Sequence, residues 1–418
     1  MAQTYKFGNG TWATKKGSTL AYSDTNNAFK PLPFNFTRNS IATRVNKEGL
    51  IEVVGNDIPR IDYTDSTEGA LLLENSSTNL ITYSEDFSNS TWAKLDTTIT
   101  SNEILSPIGL IDVSKLTDNN NNARHGLLIP FIWASGIQSV CSVYAKKGTS
   151  SKLVIGSTSN AQGSFFDLET ETIVNTGSFV GSMVSVGNGW YRCSTVFTAP
   201  SNYNLIIGMY SVAGNLYYTG VGSDIYIFGA QLEVGSYATS YIPTNGSTVQ
   251  RAAETCNGSG NSEVFNDSQG VLFANIAALS DDGTFRNISI NNDTTAQAIR
   301  IYYRNIDYKL TVLIASSSSA SVTLDVPKST QFLKIAIKYI LNNVEIYVNG
   351  FLVNTISSVA MPIGLNQLDF DIDNQLRFYG KTKEIGYYDT ILTDAELETL
   401  TSYRSLNEMV TELNLNAL

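Results

Sequence analysis

The chain has 418 residues, too many for one ordinary β domain and enough for two cores with extra segments. Hydrophobic residues make up 42% and charged residues only 16%, against about 25% charged in an average soluble protein, so solubility must rest on Asn, Ser, Thr and Gly, as on sheets with polar but uncharged faces. Lys plus Arg number 27 against 38 Asp plus Glu, a net charge of −11 that opposes contact with phosphate backbones and excludes nucleic acid as an expected partner.

Three cysteines, Cys141, Cys193 and Cys256, are odd in number and widely spaced, which fits neither a disulfide framework nor a metal pair and predicts small buried hydrophobes. The opening stretch MAQTYKFGNGTWATKKGS has no apolar core of a signal peptide, and no run of about 18 apolar residues occurs, so neither a leader nor membrane insertion is expected.

In chain order, residues 1–58 alternate short polar and aromatic runs with Gly8, Gly10, Gly17, Pro31 and Pro33, too interrupted for a core of their own. Within them Lys47-Glu48-Gly49 separates two β-rich runs and predicts a hairpin. Residues 59–79 read as a lead-in strap. From Leu80 to Thr244, short strand-like runs such as SKLVIGS, GWYRCSTVFTA and NLIIGMYSV carry turn signals every ~8 to 12 residues, the spacing of an all-β sandwich or jelly roll. The Asp118 to Asn122 run reads as a polar loop. Residues 245–269 form a turn-rich linker after Gly235, Pro243, Asn245 and Gly246.

A second β unit spans 270–402. Its clearest hairpin is VEIYVNGFLVNTI, with Val344, Ile346 and Val348 on one face, Glu345 and Tyr347 on the other, and Asn349-Gly350 as a type I′ turn. KIAIKYI is the expected pairing partner of its first strand. Thr393 with Glu396 three residues on makes a capping box, with Leu392 and Leu397 as the staple, so a short helix with Leu397 and Leu400 facing inward is expected before a tail at 403–418.

Two stretches carry a family resemblance. PRIDYTDSTEGALLLENSSTNLITYSEDFSNSTW, from Pro59, and AQLEVGSYATSYIPTNGSTVQRAAE, ending at Glu254, resemble the opening and close of a lectin-like, carbohydrate-binding module of tailed-bacteriophage structural proteins of the crAss-like type. FLKIAIKYILNNVEIYVNGFLV and LRFYGKTKEIGYYDTILTDAELETLTSY resemble concanavalin A-like or laminin G-like sandwiches of phage tail and fibre proteins. The resemblance implies two tandem jelly-roll or concanavalin A-like sandwiches, an extended N-terminal attachment segment and a short C-terminal helix. It further implies a head or tail fibre on the virion surface, assembled in the host cytoplasm, touching other virion proteins through its N-terminus and binding surface glycans. A homotrimer follows from the same resemblance. The side chains open to such contacts include Tyr5, Phe7, Trp12 and Phe34, which find no core within residues 1–58.

Chemistry is sparse. The single histidine, His125, sits beside Arg124 in an Asn-rich stretch and reads as a solvated loop side chain; with one His, neither a serine triad nor an ordinary zinc site can be built. Asp369, Asp371 and Asp373 would share one face of an extended strand, which leaves three readings: a solvated face, a calcium site, or the carboxylate pair of a glycan depolymerase. No other cofactor is indicated. Trp92, Trp133, Tyr302 and Tyr303 are the candidate sugar contacts, while Trp190 and Tyr191 alternate on a strand, so that one of the two faces the core. A non-enzymatic glycan-binding fibre is therefore expected, with a depolymerase tailspike or a purely structural decoration as alternatives.

Overall fold

The computed structural model describes the chain except residues 1–2, 7–11, 16–17, 24–27, 32–33, 65–66, 102–103, 130–135, 159–161, 199–203, 327–328 and 413–418; for the strands within 3–31 and for 411–412 the account is of backbone alone. By packing, the chain forms two units whose segments interleave in sequence. A terminal unit gathers Met1–Ile41, Val54–Asn75 and Ala253–Leu418, and a central unit gathers Ala42–Val53 and Ser76–Ala252. Each is a β-sandwich, so the fold is all-β apart from the helices Asp394–Thr401 and Leu406–Glu412.

The central unit faces two six-stranded antiparallel sheets against each other. Its longest strands, Gln138–Lys147, Trp190–Thr198 and Asp224–Val234, lie in one sheet, and their period of two sends Cys141, Val143, Cys193, Ile225 and Ile227 into the core. The outward residues Tyr144, Trp190 and Phe228 are also buried, because the predicted hairpin of Ala42–Val45 and Ile51–Val54 brings Ile51 onto them together with Val113 and Tyr241. Gly49 makes that hairpin possible with φ +79°. Gly229, at φ +60°, lies where the pairing with Gln138–Lys147 slips between Ser142 and Tyr144; a Cβ there would come within 3.1 Å of the Tyr144 and Tyr241 rings. All three cysteines are buried and free, and burial pushes the thiols of Cys141 and Cys193 upward.

The terminal unit packs a larger sheet on a five-stranded one. The expected hairpin is present: Val348 pairs with Phe351 across Asn349 and Gly350, whose φ values of +49° and +90° are those of a type I′ turn. Leu333–Ile340 pairs with Asn343–Val348 as the sequence indicated. The Thr393 capping box starts helix Asp394–Thr401, and Leu397 then covers Val271, Phe273, Ala336 and Tyr347.

The edge of strand Gly380–Tyr388 is filled by two N-terminal pieces: Ala70–Leu73 pairs with residues 380–382 and Gln3–Lys6 with residues 384–387. That covers an otherwise open row of backbone donors and acceptors. Phe34 and Phe36 are each 4% exposed within the same core, with the Phe34 ring 5.4 Å from Phe370. Phe34 and Phe36 find their core outside residues 1–58 but within the same chain, so Phe34 is not available for virion attachment. Phe7 lies outside the described residues, and the side chains of Tyr5 and Trp12 lie outside the described part of theirs.

One buried ion cluster joins the three segments of this unit. The Glu254 carboxylate accepts from Arg38 Nη1 at 2.8 Å, from Arg60 Nε at 2.9 Å and Nη2 at 2.5 Å, and from the Glu74 amide at 2.8 Å. Arg60 Nη2 also reaches Glu74 Oε2 at 2.8 Å, and Arg38 donates to the carbonyls of Ser40, Gly55 and Ile58. Burial opposes the charge on Arg60, but Glu254 and Glu74 outweigh it and raise its affinity for the proton. Two cations and two anions leave the cluster neutral, the condition for keeping charges out of water. Glu254→Ala removes the carboxylate of Arg38 and leaves Arg60 with Glu74, a buried excess of one positive charge, and is expected to destabilise the unit by about 3–5 kcal/mol. Urea unfolding of the variant checks this, and an unchanged midpoint would contradict it.

Candidate functional site

The five-stranded sheet of the terminal unit consists of Arg286–Asn291, Ala298–Tyr303, Leu310–Ala315, Ala320–Thr323 and Gln367–Asp369. Ile288, Ile290, Ile299, Ile301 and Tyr303 point into the core. The same alternation places Asn287, Ser289 and Asn291, and across from them Tyr302, Arg300 and Ala298, on the opposite face. That face is the candidate site, because it gathers polar side chains that alternation alone would leave to solvent.

Much of its polarity is engaged by the segment after strand Gln367–Asp369. Asp369 accepts from the Gly258 amide at 2.6 Å and from Asn291 Nδ2 at 2.7 Å. Asp371 accepts from Asn257 Nδ2 at 2.6 Å, while its backbone carbonyl accepts from Asn287 Nδ2 at 2.7 Å and Ser289 Oγ at 2.6 Å. Both carboxylates are 2% exposed. Burial raises the Asp369 pKa, and burial with help from the Asp369 charge pushes Asp371 up to about 6, against the pull of Asn257 and Arg377. Asp373 is exposed, and with φ +53° it has left the strand, so the three aspartates do not share one face. Among the described residues no group of three or more His, Cys, Asp or Glu side chains is placed to hold a metal.

At the open part of the face, Arg300 donates from Nε to Asn287 Oδ1 at 2.8 Å, and its guanidinium carbon lies 5.1 Å from the centre of the Tyr302 ring. Tyr302 in turn sits 5.9 Å from the Phe285 ring; both aromatics are half-buried. A cation over one ring and a second ring beside it make a compact surface with an apolar floor and charged donors.

The other candidates go elsewhere. Trp92 is 1% exposed, donates from Nε1 to the Tyr83 carbonyl at 2.9 Å and packs on Phe87, so it is a core residue of the central unit and not a sugar contact. Tyr303 is likewise buried in the core, and Trp133 lies outside the described residues. Of the alternating pair, Tyr191 packs against the core between the sheets, and Trp190 on the opposite face is also buried, donating to the Leu105 carbonyl. His125 is neither in a loop nor solvated: it stands in strand His125–Leu128, fully buried, with Nδ1 2.7 Å from the Asp96 carbonyl and Nε2 3.1 Å from that of Tyr218. Arg300, Asn287 and Phe285 were not among the sequence candidates. The alternation in AIRIYY placed Arg300 opposite the core-facing isoleucines, but nothing in sequence showed that it would be buried.

No family model and no curated protein matches the chain. Among solved structures it is similar to the Ruminococcus gnavus IT-sialidase CBM40, with 17% identity, a TM-score of 0.30, and coverage of 35% of this chain and 94% of that one. It is also similar to Trypanosoma rangeli sialidase in complex with the inhibitor DANA, at 10% identity and TM-score 0.29 over 93% and 66% of the two chains. The N-terminal CBM22-1-CBM22-2 tandem domain from Paenibacillus barcinonensis Xyn10C shows 9% identity and TM-score 0.24 over 75% and 97%. Likenesses of this size carry no ligand and no activity over to this chain.

Two outcomes are expected. Trp92→Ala should cost about 3–5 kcal/mol of stability in the central unit, as for other buried aromatics; a variant melting like wild type would return Trp92 to the surface candidates. The folded chain holds the Asp371 proton up to about pH 6, whereas an unfolded aspartate releases it near 3.8, so the folded state binds more protons in that window and loses stability as pH rises through it. Asp371→Asn keeps an acceptor for Asn257 and should remove that fall. Urea midpoints of both proteins at about pH 4.5 and 6.5 measure it, and parallel slopes would show that Asp371 titrates normally.

Proposed function

We propose that this chain is a non-enzymatic fibre or appendage component of a bacteriophage virion, displayed on the particle surface and binding glycans. The observation that carries the glycan reading is the half-buried Tyr302 ring, flanked by Phe285 and by the Arg300 guanidinium on an amide-lined sheet face. Sugar rings present C–H faces that pack on aromatic rings, and their hydroxyls pair with converging polar groups, the combination found in small-ligand sites. The virion reading is supported by the two motif stretches ending at Trp92 and Glu254. Assembly in a host cytoplasm agrees with three free cysteines, since no part of the chain relies on a disulfide among the described residues. The same resemblance supports a homotrimer that meets other virion proteins through its N-terminal segment.

The depolymerase reading has one observation in its favour, the raised Asp371 beside Asp369. A general acid must reach the glycosidic oxygen. Here both carboxylates accept hydrogen bonds from Asn257, Asn291 and Gly258 and are shut from solvent, which favours binding without cleavage.

The test is a glycan array probed with wild type and Tyr302→Ala. Wild type should bind a defined set, and the variant should bind it roughly tenfold more weakly, the worth of one aromatic contact. Wild-type silence across the array would leave a structural decoration, and release of reducing ends from host capsular polysaccharide would establish the depolymerase instead.

A further inference from the structure

We infer that the open face of the five-stranded sheet binds an acidic saccharide, with the Arg300 guanidinium holding its carboxylate or sulfate. The inference rests on the glycan-binding reading and specifies its ligand class. Its origin is a charge without a counter-charge. Arg286 is paired with Asp282 at 2.7 Å, Arg304 with Asp307 at 3.3 Å and Lys309 with Asp325 at 3.2 Å. Arg300 is only 9% exposed, yet it has no ion pair among the described residues, and its one hydrogen bond there is Nε to Asn287. Charges drawn largely out of water are normally paired, because an unpaired one gives up much of its hydration without return. The lowered proton affinity of Arg300, caused by burial, agrees with that lack of compensation.

The surroundings fix how the cation is presented. Asn287 is fully buried and anchored by its own bond to the Asp371 carbonyl, so it holds Nε in one direction. The Tyr302 ring lies against the guanidinium and restricts its tilt. With Nε engaged, the two Nη atoms remain; neither is among the solvent-inaccessible polar atoms that lack a partner, so both donors reach solvent. Two N–H groups in a fixed plane match the two oxygens of a carboxylate or two of a sulfate. Asp369 and Asp371 do not compete, since their oxygens are held by Gly258, Asn291 and Asn257. A neutral sugar would leave the guanidinium uncompensated, whereas an acidic one neutralises it while its ring packs on Tyr302 and Phe285.

The test uses the full chain on an array of neutral and acidic glycans that includes matched uronic-acid oligosaccharides with the carboxylate free or methyl-esterified. Acidic glycans should give the strongest signals, and esterification should weaken binding by about tenfold or more, the worth of a charge-assisted hydrogen bond. Arg300→Gln should show the same loss on acidic glycans, and Arg300→Lys a smaller one, because a point charge lacks the fork. Equal binding of free and esterified forms, or an Arg300→Gln variant that binds acidic glycans like wild type, overturns the inference while leaving the glycan-binding reading in place. No binding to any glycan overturns both. Should Arg300→Gln fail to fold, the esterified pair on the wild-type chain decides alone.

Discussion

The terminal unit depends on the carboxylate of Glu254. It is buried, it receives two arginines and a backbone amide, and each donor comes from a segment far away in sequence. Without it, Arg38 and Arg60 would be two buried cations with Glu74 as the one carboxylate left in the cluster, and the segments that carry them would lose their shared anchor. The return bond from the Glu254 amide to the Glu74 carbonyl, 3.0 Å long, sets the two exits from this unit side by side. In the central unit, Ser77–Asn79 pairs with Val249–Arg251 and does the same at the entry. An insertion of about 180 residues is tolerated when its ends leave and return at adjacent points, and these two clamps supply that condition.

The motif stretches take on a structural meaning in this light. Arg60 belongs to PRIDY, Glu74 to GALLLE and Glu254 to QRAAE, and all three face one another in a buried cluster. The polar residues between them behave alike. Asn79 bonds the carbonyls of Ala230 and Ile242, and Glu233 accepts from Ser77 and Thr239. These side chains fix the closing loop of the central sandwich. A stretch dense in polar residues is easily taken for a binding surface, but buried hydrogen bonds of this kind specify a single packing.

The outer face of the five-stranded sheet applies the same economy with a different outcome. Side-chain amides and a backbone N–H satisfy the carboxyl oxygens at 369 and 371, so the face tolerates burial under the following loop. Asp373, Asn374 and Leu376 adopt positive φ values of 53°, 55° and 48° as the chain turns over it. Strain of this type is kept where the surrounding contacts over-determine the path. Arg300 meets no carboxylate among the described residues, and the aromatic pair beside it stays half open. The two sides of one sheet face therefore differ: Asp371 is buried, whereas Tyr302 is half-buried.

From the sequence alone came the class of fold, the Asn349-Gly350 hairpin with its partner strand, the Gly49 hairpin, the capped helix at Thr393 and the burial of the cysteines. Each depends on neighbours a few residues apart, through period, turn geometry or capping, and such signals survive without knowledge of the rest of the chain. The tertiary structure decided what depends on distant partners. It interleaved the two units, drew Phe34 and Phe36 into a core formed more than 200 residues later, and buried His125 and Trp92. It also drew Asp369 and Asp371 toward asparagines, away from solvent. Above all it left Arg300 buried without a carboxylate among the described residues. A sequence displays a charge and its local period, but whether that charge meets its opposite is settled by which strands come together, and no local pattern carries that information.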